Sequence, residues 1–532
     1  MNDQETRPSA DLLSVWSPLS KITVAAWLIV CCTGLREDRV AIAERPNIIL
    51  FIADDISDTD IGCYGSTTAR TPNIDALAAA GRQFNNAYLT ASSCSPSRSS
   101  IITGRYPHNN GQAAELHAPI PAHLPWFPRL LREAGYYTAL VGKHHMTSAP
   151  PPPGQMPQPP AFDYIDSGRR PGNQGGHATW VQTLRDRPQN MPFFFWFAAY
   201  DAHRGWDGDQ DWVEGLYGPQ HDPEQVDLPV FLSDDSATRR DFASYHNEVT
   251  RFDYFVGQVV SELRSTGTLH NTLLIVMADN GAPFPRAKTR LHDSGMKTPL
   301  VMHWPAKLAS PGTPSDSMVS AIDIAPTLLE VAGCAAAPSM QGVSFVALFR
   351  EPMTVTREYV FSEHNWHDYE AHGRAVRANG FLYIRNHRPQ WAWQGPADSV
   401  ASPSHQQLRQ LRDADRLNPM QQDIFLAPRP EEELYQFTAD RNQLRNLAAT
   451  PAYTAEKARL RKLLNDWTEQ THDSAPADLT PDTFDRETGK SILARKQRRQ
   501  TWRGMTPGMD RNAAYIDHPG PIRAAKHSAS GR

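Results

Sequence analysis

The sequence predicts an α/β protein built on an open sheet, and three observations carry that prediction. Four short runs rich in β-branched and aromatic residues read as strands buried on both faces. Helical patterns lie between them, and strands that alternate with helices build such sheets. Polar residues follow each run directly, where an open α/β sheet binds ligands, outside the carboxyl ends of its strands.

Taken in order, the first segment is an apolar run within residues 21–35 that includes Ile22, Val24, Trp27, Leu28 and Ile29. At roughly 14 residues it is short for a membrane span and fits the core of a secretory signal. Ala41-Ile42-Ala43 offers a small-x-small cleavage site, so residues 1–43 read as a leader and the mature protein as exported, periplasmic or secreted. No stable membrane span is expected once the leader is removed. The long, partly acidic stretch before Lys21 and the Arg36-Glu37-Asp38-Arg39 run are atypical of leaders. An over-long start or an uncleaved anchor would each account for them.

Asn47–Ala53 is the first strand, with Asp54 and Asp55 after it. Pro72–Ala80 reads as a helix with Thr71 as N-cap and Gly81 as its stop. In Cys94-Ser95-Pro96-Ser97-Arg98, Ser95 reads as the N-cap and Pro96 as the first helical residue, with Ile101 and Ile102 inward and Gly104 ending the helix. Tyr137–Val141 is the second strand, followed by Lys143 and His145; Phe193–Ala199 is the third, followed by Asp201 and His203. Thr272–Ala278 is the fourth, followed by Asp279 and Asn280. The proline run 149–160 is an extended connection. Residues 245–264 place Val249, Phe252, Phe255, Val256, Val259 and Leu263 at helical spacing.

A shift in composition follows Arg350. Gly373–Asn386 reads as short antiparallel strands, and Ala455–Trp467 as a helix with Leu460, Leu463 and Leu464 on one face. The expected organisation is a leader (1–43), a catalytic domain (44–370), a smaller α+β domain (371–473) and a polar, basic tail (474–532). A chain of 532 residues suits two domains. A net charge of -5 and the lack of a basic reading helix give no footprint for nucleic acid. Of the five cysteines only Cys63, Cys94 and Cys334 lie beyond the leader, which is no disulfide framework.

The residues after the strands define a chemistry. Asp54, Asp55, Asp279 and Asn280 offer only oxygen ligands, a set for a hard cation such as Ca²⁺ (or Mg²⁺) rather than zinc. Cys94 beside a helix N-terminus is either an activated thiolate or a structural cysteine next to a well-capped helix. Arg98, one turn in, can hold an anion. Lys143, His145, His203 and Lys288 add positive charge and proton-transfer groups; His144, equally near in sequence, is the alternative to His145.

These motifs together resemble the type I sulfatases. Asn47–Asp55, Thr71-Pro72-Asn73-Ile74-Asp75, Cys-x-Pro-x-Arg at 94–98, Gly142-Lys143-His144-His145, Asp279-Asn280-Gly281, Lys288 and Asp323-Ile324-Ala325-Pro326-Thr327 follow that family's order. Glu433-Leu434-Tyr435 and Asn446-Leu447 resemble its C-terminal landmark, so the likeness spans roughly residues 45 to 470. The resemblance implies an alkaline-phosphatase-like fold with a large mixed sheet between helices. It also implies that Cys94 is oxidised to formylglycine (3-oxoalanine), by a formylglycine-generating or anaerobic sulfatase-maturating enzyme. Metal ligands would be Asp54, Asp55, Asp279, Asn280 and modified Cys94. Arg98, Lys143, His145, His203 and Lys288 would handle sulfate and protons.

Tyr200-Asp201-Ala202-His203-Arg204 and the Asp279–Pro285 segment look most like the heparan N-sulfatase branch, although that branch often has arginine at Lys288. There His364, His367 and Asp368 would meet a sulfated sugar. The alternatives are a phosphatase or phosphotransferase of the same fold, and a non-catalytic carbohydrate-binding relative.

Overall fold

The computed structural model describes residues 45–151, 154, 156–477, 479–493 and 516–523. The leader reading lies outside the described residues. No described helix is long and apolar enough to cross a membrane.

The four strands read from the sequence form the centre of one sheet. They are β1 (Asn47–Ala53), β3 (Tyr137–Gly142), β5 (Phe193–Ala198) and β6 (Thr272–Ala278). With β2 (Arg82–Tyr88), β4 (Tyr164–Asp166), β7 (Leu300–His303) and β8 (Ser315–Ser320) the order is β4-β3-β5-β1-β6-β7-β2-β8. β4, β3, β5, β1 and β6 run parallel, while β7 is antiparallel to β6 and to β2. The sheet is therefore mixed. Side chains alternate along β1, so Ile48, Leu50 and Ile52 enter one core and Ile49, Phe51 and Ala53 the other.

On the second face lies a helix, Ser236–Ser265, longer at its start than the sequence pattern predicts. Its start up to Asp241 is largely polar, and its buried apolar face begins at Phe242, ahead of the expected Tyr245. Asp235 caps it, accepting the amides of Ala237 (2.9 Å) and Thr238 (3.0 Å). The Pro72–Ala79 helix packs beside it and starts after Thr71 as expected, but it is capped differently. Thr71 makes no cap bond; its Oγ1 accepts from Gly62 N (2.8 Å). The free amides of Ile74 (2.8 Å) and Asn73 (3.2 Å) instead reach Asp253 on the long helix.

A second sheet of four antiparallel strands, β12-β11-β10-β9, forms from β9 (Val360–His364), β10 (Gly373–Ala378), β11 (Phe381–Asn386) and β12 (Glu432–Gln436). The Thr454–Gln470 helix covers it through Leu460, Leu464 and Trp467. Its first strand starts at Val360, ahead of the boundary expected at residue 371. Residues 516–523 lie against the protein: Gln341 Nε2 donates to His518 O (2.9 Å) and Glu358 N to Ile522 O (2.8 Å).

Candidate active site

Because β1, β3, β5 and β6 are parallel, their carboxyl ends share one edge, and the polar residues after them meet there. Asp54 and Asp55 leave β1. Asp55 takes a left-handed φ of 61°, and its amide donates to Asp279 Oδ1 at 3.2 Å. Such a backbone is costly for a residue with a Cβ and marks a built site. Lys143 follows Gly142, whose φ is 111°; a Cβ there would sit 1.6 Å from Ala198 O. Only glycine lets β3 pass so close to β5, and Lys143 N then donates to Ala198 O at 2.8 Å.

The Cys94 helix corrects the sequence reading. It begins at Cys94 with Ser93 in the N-cap position, not at Pro96 with Ser95 as cap. Ser97 N donates to Ser93 O (2.8 Å), so Pro96 lies in the first turn, where no amide hydrogen is needed. Gly104 ends the helix at φ 65° as expected. Cys94 is buried in the helix mouth, with Sγ 3.6 Å from Asp54 Oδ1 and 3.9 Å from Asp55 Oδ1. Burial pushes its thiol up, more than Lys143 and Lys288 lower it. The unmodified side chain is therefore a neutral thiol and not the activated thiolate that a helix mouth alone would favour.

The carboxylates are matched by cations. Lys143 Nζ pairs with Asp54 Oδ2, and Lys288 Nζ lies 2.7 Å from Asp55 Oδ2. Burial opposes the charge of Lys288, but Asp55, Cys94, Asp398 and Asp54 together outweigh it and hold the ammonium well above its usual range. Arg98 is fully buried; its Nε donates to Asp279 Oδ2 (2.7 Å) and its Nη1 to Lys143 O (3.0 Å). Its Nη2 makes no hydrogen bond, and neither does the buried Oδ1 of Asn280.

An orphaned carbonyl oxygen beside Asp54, Asp55 and Asp279 is what an all-oxygen cation site leaves when the ion is absent. Ligand atoms of Asp54, Asp55 and Cys94 lie within 4.8 Å of one another. The residues fit a hard cation.

Outward from this group a cavity of about 430 Å³ is lined by Asp54, Lys143, His145, Arg169, Tyr200 and His203, among others. His145 Nε2 stands 2.6 Å from His117 Nδ1, and burial, then Lys143 and His117, lower its pKa well below the usual value. It is a neutral imidazole, able to take a proton. His144 lines the same cavity, but its ring faces Trp126 at 6.4 Å between centroids. His203 is 38% exposed at the mouth, its Nε2 3.7 Å from Asp398 Oδ2. Asp201, by contrast, is committed elsewhere, to Arg251 (2.7 Å) and His177 (2.9 Å).

His367 reaches the helix mouth, its Nδ1 2.7 Å from Ser93 Oγ. Asp368 does so indirectly, accepting the amide of Ala397 (3.0 Å) in the turn before Asp398. His364 is not brought in: its ring packs on Trp393 and its charged neighbours are Arg290, Arg374 and Arg486. Sequence reasoning missed His117 and Asp398, which stand in no motif. No local signal marks them, because a loop and a short helix, Ala397–Val400, deliver them from separate parts of the chain.

Comparison with known proteins agrees with this geometry. The sulfatase family model matches residues 46–334, and the model described as N-sulphoglucosamine sulphohydrolase, C-terminal, matches 287–394. The chain is 30% identical to human N-sulphoglucosamine sulphohydrolase over 83% of its own length and 94% of that protein. It is 29% identical to an ulvan-active sulfatase of Formosa agariphila, over 83% of this chain and 78% of the other. Among solved structures, one in complex with its substrate D-glucosamine-2-N,6-O-disulfate aligns with a TM-score of 0.61 at 19% identity, covering 81% of this chain and 99% of that one. The chain belongs to the sulfatase family, with the alkaline-phosphatase-like fold, and is a sulfuric ester or sulfamate hydrolase.

Proposed function

We propose that this protein removes sulfate from carbohydrate through a formylglycine made from Cys94, and that its substrate is an N-sulfated glucosamine. The observation that carries the reading is Cys94 at the first position of its helix, 3.6 Å from Asp54 and 3.9 Å from Asp55, in a sulfatase-family chain. The match to an N-sulphoglucosamine sulphohydrolase C-terminal model supports the substrate. Export remains part of the proposal, carried by the leader pattern.

Formylglycine, once hydrated, supplies the oxygen nucleophile at position 94, and a bound Ca²⁺ or Mg²⁺ supplies Lewis acidity toward a sulfate oxygen. Asp54, Asp55, Asp279 and Asn280 would hold that cation. Arg98, braced by Asp279 and the Lys143 carbonyl, keeps Nη2 free of hydrogen bonds 3.9 Å from Asp54 Oδ1, where it can hold an anion. Lys143 and Lys288 compensate the negative charge of carboxylates and sulfate together. His203, at the mouth, is placed to protonate the leaving nitrogen or oxygen. His145, buried and neutral, is placed to take the proton released as the side chain at 94 is restored.

Sulfate release should be compared between N-sulfoglucosamine, 6-O-sulfated glucosamine and a sulfated galactose, with wild type and Cys94→Ala. The reading predicts release from the first, abolished in the variant. A preference for either O-sulfated sugar would leave the sulfatase reading standing and remove the N-sulfate one.

A further inference from the structure

Asp398 stands on the short helix Ala397–Val400, and its side chain is 31% exposed beside His203. Its Oδ1 accepts the amide of Ser399 at 2.7 Å, while Oδ2 lies 3.7 Å from His203 Nε2. Ligand atoms of Asp55, His203 and Asp398 fall within 4.8 Å of one another. That grouping does not favour a second cation, because the Lys288 ammonium already lies 2.7 Å from Asp55 Oδ2. Burial works against the charge of Asp398, but Lys288, His203, Arg204 and His367 outweigh it and hold the carboxyl below its usual range. An ionised carboxylate therefore stands at the outer end of a site made for an anion. A sulfate group gains nothing from it. A leaving group that becomes cationic does.

We propose that Asp398 is a specificity-determining residue that favours sulfamates by pairing with the nitrogen as it leaves. The inference rests on the N-sulfate reading above and deepens it. Overall, R–NH–SO₃⁻ and water give R–NH₃⁺ and SO₄²⁻. The S–N bond breaks with its electron pair going to nitrogen, nitrogen gains the two water protons, and sulfur gains the water oxygen. His203 delivers a proton to that nitrogen, and Asp398 Oδ2 faces the same His203 nitrogen, so it meets the ammonium as it forms. An O-sulfate leaves as a neutral alcohol and gains no ion pair there. Asp368, through its bond to the Ala397 amide, holds the turn that presents Asp398.

The first test needs no variant. Calorimetry of wild type should show glucosamine binding roughly tenfold more tightly than N-acetylglucosamine, the ratio one modest ion pair supplies. Equal binding, or no detectable glucosamine binding, overturns the proposal. Asp398→Asn should then erase the difference; an unchanged preference in that variant overturns it as well. The ratio of kcat/KM for N-sulfoglucosamine to that for 6-O-sulfated N-acetylglucosamine should fall at least roughly tenfold in Asp398→Asn. Equal losses on both substrates would mark a merely structural residue and contradict the inference. If wild type releases no sulfate from N-sulfoglucosamine, the substrate reading fails, and the binding comparison alone decides on Asp398.

Discussion

Cys94 illustrates how little a single residue says without its neighbours. On its own it is a buried thiol whose pKa burial has raised, a poor nucleophile. Its surroundings, a helix mouth, two carboxylates, two ammonium groups and a guanidinium whose Nη2 makes no hydrogen bond, are those of an anion-handling centre. Two histidines adjacent in sequence separate at this scale. His145 bonds His117, whereas His144 faces Trp126. His145→Ala should leave the first turnover nearly intact and slow sulfate release by about 10²–10⁴-fold, visible as a burst of desulfated sugar. His144→Ala should change neither phase by more than a few-fold; a burst in that variant instead would exchange the two assignments.

At the scale of elements, the buried cross-brace between helices is the sharpest prediction. Asp253 accepts the amides of Asn73 and Ile74 and the Asn73 side chain (2.7 Å), capping one helix from another. Asp253→Ala should destabilise the protein by about 1–3 kcal/mol, measured by denaturant unfolding. Burial raises the Asp253 carboxyl to about 7, against those three hydrogen bonds. Its folded pKa thus exceeds the unfolded value of 3.8, so the folded state binds more protons between these values. The stability it contributes is present below pH 3.8 and is lost as pH rises towards about 7. Asp253→Asn, which cannot ionise, should gain in Tm on wild type across that window. A constant difference would contradict the assignment.

The same scale shows what the sequence could and could not reveal. β1, β3, β5 and β6 were legible because strands covered on both faces are apolar throughout. β2 (RQFNNAY) and β8 (SDSMVS) were not, since they lie toward one edge of the sheet and carry polar side chains. Thr71 stands at the N-cap as its pattern assigns, but Asp253 takes the amides its side chain would cap; the Ser95 cap is misplaced, because Ser93 takes that position. The candidate ligands Asp54, Asp55, Asp279 and Asn280 were readable because each lies directly after a strand. Asp398 and His117 follow no strand and were not.

For the whole molecule, the central arrangement is a cluster of buried carboxylates faced by the protein's own cations. Lys143, Lys288 and Arg98 face Asp54, Asp55 and Asp279, and the Asn280 oxygen is left unpartnered. A bound hard cation should therefore stabilise the fold as well as serve the reaction. Elemental analysis should find about one Ca²⁺ or Mg²⁺ per chain, and chelation should lower both Tm and activity, each restored by the ion. Two zinc ions per chain would move the protein to the phosphatase side of the fold.

The measurement that bears most directly on the account is mass spectrometry of the peptide carrying Cys94, read beside sulfate release from the same preparation. The account predicts that the peptide carries an aldehyde in place of the thiol, and that activity rises in proportion to the converted fraction. Full activity in a preparation whose Cys94 is entirely an unmodified thiol would contradict it.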